Sequence, residues 1–298
     1  MTADWIAVDW GTSNLRAWHL GQGRILNQAE APEGMARLTP PEFEPALLRL
    51  IGPWLAEGQV TPALIAGMAG SRQGWVETPY RAVPCKPVDR ASLMAVPVQD
   101  PRLTVQIVPG LMQARPADVM RGEEVQIAGA LALAPKFDGV ICLPGTHGKW
   151  VHVSAGEVVS FQTQMTGELF DLLSRQSVLR HGIATDGWDD AAFDSALSDA
   201  LSRPERIGAR LFALRAEGLL QGLPPQAARA RLSGLLIGME LAAARPYWLG
   251  QPVMVVGADA TSRAYIRALS AQGLSPAALS ATDCTLAGLA SLRRKDDP

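Results

Sequence analysis

Cysteine is scarce in this 298-residue chain. Cys85, Cys142 and Cys284 are odd in number, far apart and never spaced C-x-x-C, which excludes a disulfide framework and a thiolate zinc site. Long basic runs are also missing, and 27 Lys+Arg against 29 Asp+Glu give a formal net charge of -2, so nucleic acid is not an expected partner. No uninterrupted apolar run approaches membrane-spanning length, and Met1-Thr2-Ala3-Asp4 carries an acid where a signal peptide needs positive charge. A cytoplasmic protein with no membrane partner is expected. What the chain does have is apolar mass: 48% hydrophobic residues can fill a large core, and the length suggests about two domains.

The stretch Asp9-Trp10-Gly11-Thr12-Ser13-Asn14-Leu15-Arg16 is the most informative. Trp5 to Val8 and Leu15 to Leu20 read as strands, so the bend between them presents backbone N–H groups beside a strand-end carboxylate. Gly11 removes the Cβ that would obstruct an anion, Thr12 and Ser13 add hydroxyls, and Asp9 can hold Mg²⁺ directly or through water. An ordinary β-hairpin would carry the same octapeptide, so the rest of the chain must decide.

Residues 5–9, 15–20 and 24–29 form an expected meander, followed by a helix over Pro41 to Trp54. Ala63 to Ala66 reads as a buried strand entering Gly67-Met68-Ala69-Gly70-Ser71-Arg72, a glycine-rich loop suited to ligand approach. Val105 to Val108 is a further strand. Glu123 and Glu124 then open a helix over Val125 to Ala134, where capping alone would account for acidic residues. Gly139 to Leu143 leads into Pro144-Gly145-Thr146-His147-Gly148-Lys149-Trp150 and a strand at Val151 to Val153, repeating the strand, glycine-hydroxyl turn, strand logic of the N-terminus. Two similar α/β lobes, 1–137 and 138–298, follow, with phosphate turns facing each other across a cleft. The chain is mainly helical from about Met165 to Ala244, has a last strand at Val253 to Val256 ending in Gly257-Ala258-Asp259, and closes with helices around 262–272 and 284–293.

A strand-end Asp with a Gly-Thr turn, a helix-borne carboxylate, a second Gly-Thr turn and a late strand ending in glycine occur in the order used by the actin, sugar kinase and chaperone ATPase superfamily. The words Gly67-Met68-Ala69-Gly70-Ser71, Val119-Met120-Arg121-Gly122-Glu123-Glu124, Pro144-Gly145-Thr146-His147-Gly148-Lys149-Trp150, Met165-Thr166-Gly167-Glu168-Leu169 and Leu232-Ser233-Gly234-Leu235-Leu236-Ile237-Gly238 go further. End to end, the chain resembles the 2-dehydro-3-deoxygalactonokinase family. The resemblance implies a two-lobed actin-like ATPase (ribonuclease H-like) fold and ATP- and Mg²⁺-dependent phosphorylation of the 6-hydroxyl of 2-dehydro-3-deoxy-D-galactonate. A kinase for another small sugar acid or polyol, and a non-catalytic nucleotide-dependent sensor, are the competing readings. A homodimer is compatible with either.

Phosphoryl transfer asks a protein chiefly to position reactants and stabilise charge. Asp9 is expected to act on Mg²⁺, with Gly11, Thr12 and Asn14 on the terminal phosphates and Gly145, Thr146 and Lys149 opposite. The resemblance adds Arg16 as a phosphate cation, and Gly257 and Asp259 near adenosine. It also places the general base at the helix start, with Glu124 favoured and Glu123 the alternative. A sugar acid carries a carboxylate, so Arg72 or Arg121 should meet it. Ser71, His147, Thr166 and Glu168 are candidates to read its hydroxyls, while Trp10, Trp75 and Trp150 read as packing.

Overall fold

The computed structural model describes residues 4–257 and 260–293. In the first unit, β1 (Trp5–Trp10), β2 (Leu15–Gly21) and β3 (Arg24–Ala31) form the meander, and α1 (Phe43–Ile51) follows with 3₁₀ turns at both ends. Next come β4 (Thr61–Gly67), β5 (Arg81–Ala82), β6 (Met94–Val96), β7 (Leu103–Ile107), β8 (Leu111–Ala114) and β9 (Ala117–Met120), then α2 (Glu123–Leu133). The main sheet runs β3-β2-β1-β4-β7-β6, with β2 antiparallel and β4 parallel to β1. A separate small sheet, β5-β8-β9, was not foreseen in the sequence.

Alternation along β1 buries both of its faces. Ile6, Val8 and Trp10 pack with Phe43, Leu47 and Ile51 of α1. Trp5 and Ala7 pack on the opposite side with Val125 of α2. Asp9 shares the parity of Trp5 and Ala7, so the two-residue period carries its carboxylate to the face that α2 covers.

The second unit contains β10 (Gly139–Leu143), β11 (Gly148–Ser154), β12 (Glu157–Gln164), α3 (Thr166–Arg175), α4 (Asp190–Ser202), α5 (Ile207–Leu220), α6 (Pro225–Ala243), α7 (Arg245–Trp248), β13 (Val253–Val256), α8 (Ala260–Ser270) and β14 (Ala277–Leu279). Its sheet order is β12-β11-β10-β13-β14, with β11 antiparallel and β13 parallel to β10. Strand for strand, this repeats β3-β2-β1-β4-β7 of the first unit. The fold is α/β, and the two units share this strand order and these strand directions. Val140, Cys142, Val253 and Val255 pack under Phe193 and Leu197 of α4, Leu241 of α6 and Tyr265 of α8.

The two units are not simple consecutive halves divided at residue 137. Packing groups Ser154–Ser160, the tip of the β11–β12 hairpin with the first half of β12, and residues 280–293 with the first unit, leaving Asp138–Val153 and Phe161–Leu279 as the second. The C-terminal segment contains α9 (Ala281–Ser291), and glycine explains its placement. A Cβ at Gly129 of α2 would lie 1.7 Å from the Cys284 carbonyl oxygen, and one at Gly288 would lie 1.9 Å from that of Val125. Each helix therefore uses its glycine to admit the other's backbone. Gly129→Ala is expected to cost about 3 kcal/mol through overpacking against a carbonyl that cannot swing aside. Urea unfolding with an unshifted midpoint would contradict that close approach.

Candidate functional site

The antiparallel register sets Asp9 directly opposite Arg16, and their side chains form an ion pair. Burial pushes the Asp9 carboxyl up, Arg16 pulls it back through charge and a hydrogen bond, and Glu123 pushes it up again; the net direction is upward. Arg16 was expected at a phosphate, but in this structure its guanidinium is engaged by Asp9.

Hydrogen bonding polarises the turn after Asp9. The Gly11 N–H donates to the Asn14 carbonyl at 2.9 Å, so Gly11 shapes the bend and is not the free donor expected. The Gly11, Thr12 and Ser13 carbonyls accept from the N–H groups of Met35, Ala36 and Gly34 at 3.0, 3.0 and 3.1 Å. With these acceptors tied behind the turn, the exposed side chains of Thr12, Ser13 and Asn14 stand before a surface favourable to anions. Sequence reasoning missed residues 34–36; the Pro32-Glu33-Gly34 break was the only local hint.

Gly67 ends β4 with φ 93°, and Gly122 precedes α2 with φ 106°. A Cβ on Gly122 would sit 3.4 Å from Gly67 Cα, so the glycine-rich loop lies against the start of α2. Glu123 accepts from the Arg121 N–H at 3.0 Å and Glu124 Oε2 from the Gly122 N–H at 2.7 Å. Both acids thus bond N–H groups at the helix start, but only Glu124 is fully buried. Burial first, and the Glu123 charge second, push its carboxyl up to about 8.

Among the described residues, three buried side-chain polar atoms of this unit lack a hydrogen-bond partner: Ser71 Oγ, Arg121 Nε and Glu124 Oε1. Such orphans are few in folded proteins and call for a ligand or solvent partner. The rest of the Arg121 guanidinium is held, Nη1 donating to Thr78 Oγ1 and Nη2 to the Thr78 carbonyl at 3.0 Å, with the group 4.3 Å from the Tyr80 ring centroid. Arg72 differs: its side chain is 80% exposed, 3.4 Å from Glu77. Of the two cations expected to meet a substrate carboxylate, Arg121 is therefore the preorganised one.

In the second unit, Gly145, Thr146 and His147 are exposed on the turn between β10 and β11. Space beside Gly145 is open, with nothing within 4 Å of a built Cβ. The start of α3 braces the turn from behind: the Glu168 N–H donates to the Thr146 carbonyl at 3.0 Å, and a Cβ on Gly167 would lie 2.3 Å from the Gly145 carbonyl oxygen. His147 Nε2 and Glu168 Oε2 are 2.6 Å apart, so each occupies the other.

Two expectations change here. β11 begins at Gly148, earlier than foreseen, which draws Lys149 into the sheet; its buried ammonium donates to the His147 carbonyl at 2.9 Å and braces the turn from within. Thr166 is also buried, and its hydroxyl bonds Glu240, an acid that sequence reasoning did not single out. Gly257 has φ 149°, and a Cβ there would lie 2.0 Å from Ser262 Oγ; its N–H donates to the Leu279 carbonyl at 2.8 Å. Asp259 lies outside the described residues.

Among the described residues no group of three or more His, Cys, Asp or Glu side chains could enclose a metal ion. Mg²⁺ needs no such cage, being commonly held by one or two carboxylates with water and substrate phosphates. Asp9, partly exposed at a turn whose carbonyls are tied back, fits that mode.

Comparison with known proteins gives a consistent result. The family model described as 2-keto-3-deoxy-galactonokinase matches residues 9–292. The Escherichia coli (strain K12) 2-dehydro-3-deoxygalactonokinase is 36% identical over 297 residues, covering 98% of each chain. A Rhizobium meliloti (strain 1021) protein provisionally assigned the same activity, DgoK1, is 39% identical, covering 97% of this chain and 96% of its own. A crystal structure from Sinorhizobium meliloti, with the same provisional assignment, superposes with TM-score 0.90 at 38% identity, covering 99% of this chain and 97% of that one. Matched across nearly its whole length by sequence and by structure, the chain belongs to the 2-keto-3-deoxy-galactonokinase family.

Proposed function

We propose that this protein transfers the terminal phosphoryl group of ATP to the 6-hydroxyl of 2-dehydro-3-deoxy-D-galactonate, with Glu124 as the general base. The observation carrying the reading is a buried carboxylate with one oxygen held by the Gly122 N–H and the other unpartnered. Glu124 Oε1 takes the proton as the sugar oxygen bonds to phosphorus and the bond to the departing ADP breaks. The Gly122 N–H fixes the second oxygen, so the acceptor oxygen keeps one orientation. Arg121 Nε and Ser71 Oγ, both lacking partners, donate to the sugar acid, the cation meeting its carboxylate.

Thr12 and Asn14 of the first unit, and Gly145 and Thr146 of the second, are the proposed phosphate contacts. Asp9 is the residue that would hold Mg²⁺, which when bound neutralises charge on the phosphate oxygens. Arg16, paired with Asp9 in this structure, is the proposed second cation beside the phosphates. Gly257 is the proposed adenosine contact on the described part of its loop. ATP as donor and a small sugar acid as acceptor support a cytoplasmic reaction in galactonate catabolism. No helix among the described residues is long and apolar enough to cross a membrane.

A panel of sugar acids assayed with ATP and Mg²⁺ for ADP release tests the assignment. Turnover of 2-dehydro-3-deoxy-D-galactonate well above its gluconate epimer is expected. Turnover of the gluconate epimer alone would overturn the substrate, and no acceptor-dependent ADP release would overturn the kinase reading.

A further inference from the structure

We propose that Glu240, on α6, is a positioning residue for the turn 144–147, its carboxylate tying together the strand that leaves the turn and the helices flanking the nucleotide loops of the second unit. The proposal rests on the reading of that turn as a phosphate contact. Glu240 is almost wholly buried and accepts three hydrogen bonds: from Trp150 Nε1 to Oε1 at 2.7 Å, from the Tyr265 hydroxyl to Oε2 at 2.5 Å, and from the Thr166 hydroxyl. Trp150 lies on β11 just beyond the turn. Thr166 is the first residue of α3, whose next two residues abut the Gly145 carbonyl and bond that of Thr146. Tyr265 belongs to α8, which follows Gly257. Beneath the turn itself, Glu240 Oε1 lies 3.8 Å from where a Gly148 Cβ would stand.

A carboxylate suits this position because it accepts without donating. Three donors converge on it from three elements, and an amide of the same size would turn an N–H₂ toward at least one of them. A buried charge seldom increases stability over an apolar replacement, so its clearest contribution here is to fix one arrangement of its neighbours. That arrangement sets where the Gly145 and Thr146 backbone stands.

Glu240→Gln, Tyr265→Phe and Thr146→Ala in the full chain test this, with KM for ATP, KM for the sugar acid, ADP affinity by calorimetry and urea unfolding as readouts. Loss of a hydrogen bond to a charged group corresponds to about a tenfold rise in KM for ATP and in ADP Kd for Glu240→Gln, with the sugar-acid KM unchanged. Tyr265→Phe should move the same two quantities in the same direction, and it decides the matter if the Gln variant does not fold. Unchanged ADP affinity, or both KM values rising together with lost stability, would overturn the positioning role. If Thr146→Ala weakens ADP binding while Glu240→Gln does not, only the role of Glu240 fails. If Thr146→Ala leaves ADP binding intact, the phosphate reading of the turn fails and takes this proposal with it.

Discussion

Glu124→Gln is expected to lower kcat by about two to four orders of magnitude, the usual contribution of a positioned general base, while making the protein more resistant to unfolding at alkaline pH. The two effects share a cause. The carboxyl is pushed up from its ordinary 4.5 to about 8 by burial and by the neighbouring Glu123 charge. A folded-state value raised in this way means that the native protein binds the proton more tightly than the unfolded chain does. The stabilisation is therefore full below about pH 4.5 and is lost as pH rises through about 8. Gln retains the acceptor for the Gly122 N–H but never ionises, so its advantage should grow across that window to something on the order of 4 kcal/mol at pH 9. Activity runs the other way. The wild-type base works only when deprotonated, so kcat/KM should rise about tenfold per pH unit below pH 8 and level off above it. Chemical unfolding at pH 5 and pH 9, beside pH–rate profiles of both proteins, checks each half. A variant of ordinary activity, or a flat wild-type profile from pH 6 to 8, would remove Glu124 from the reaction.

Asp9→Asn should be the next most damaging change. Holding Mg²⁺ contributes several kcal/mol to charge stabilisation in phosphoryl transfer, so a fall in kcat/KM of about 10² or more is expected. The concentration of Mg²⁺ needed for half-maximal rate should rise with it. Because the substitution also frees Arg16, nucleotide binding without metal should be retained or strengthened even as turnover falls. Titrating Mg²⁺ in the ADP-release assay is the direct measurement, and an unaltered metal response would contradict the assignment.

Much of the site was legible in the sequence because it is built from short-range chemistry. A carboxylate at a strand end, a glycine in the turn after it and an acid in a helix's first turn are all settled within a few residues, and the structure finds Asp9, Gly11 and Glu124 at those positions. Long-range partners were not legible. That Lys149 turns inward to a carbonyl depends on β11 starting early, and that Thr166 serves Glu240 depends on a contact made 74 residues away in sequence (240 − 166 = 74). Residues 34–36 bind the carbonyls of the first turn from beyond a two-strand meander, where no periodicity could announce them. The last helix was expected around residues 284–293 with nothing in the sequence to say which unit it completes; the facing glycines of α2 and α9 show that it packs on the first.

The interlocked α2 and α9 backbones bear on how the molecule is made. The helix that carries Glu124 is synthesised before the middle of the chain, yet one flank stays bare until residues 281–291 emerge from the ribosome. Folding from the N-terminus forward, the usual course for domains during translation, must leave this unit waiting while all of the second is produced. A nascent chain stalled after β14 would hold a finished second unit and an unfinished base.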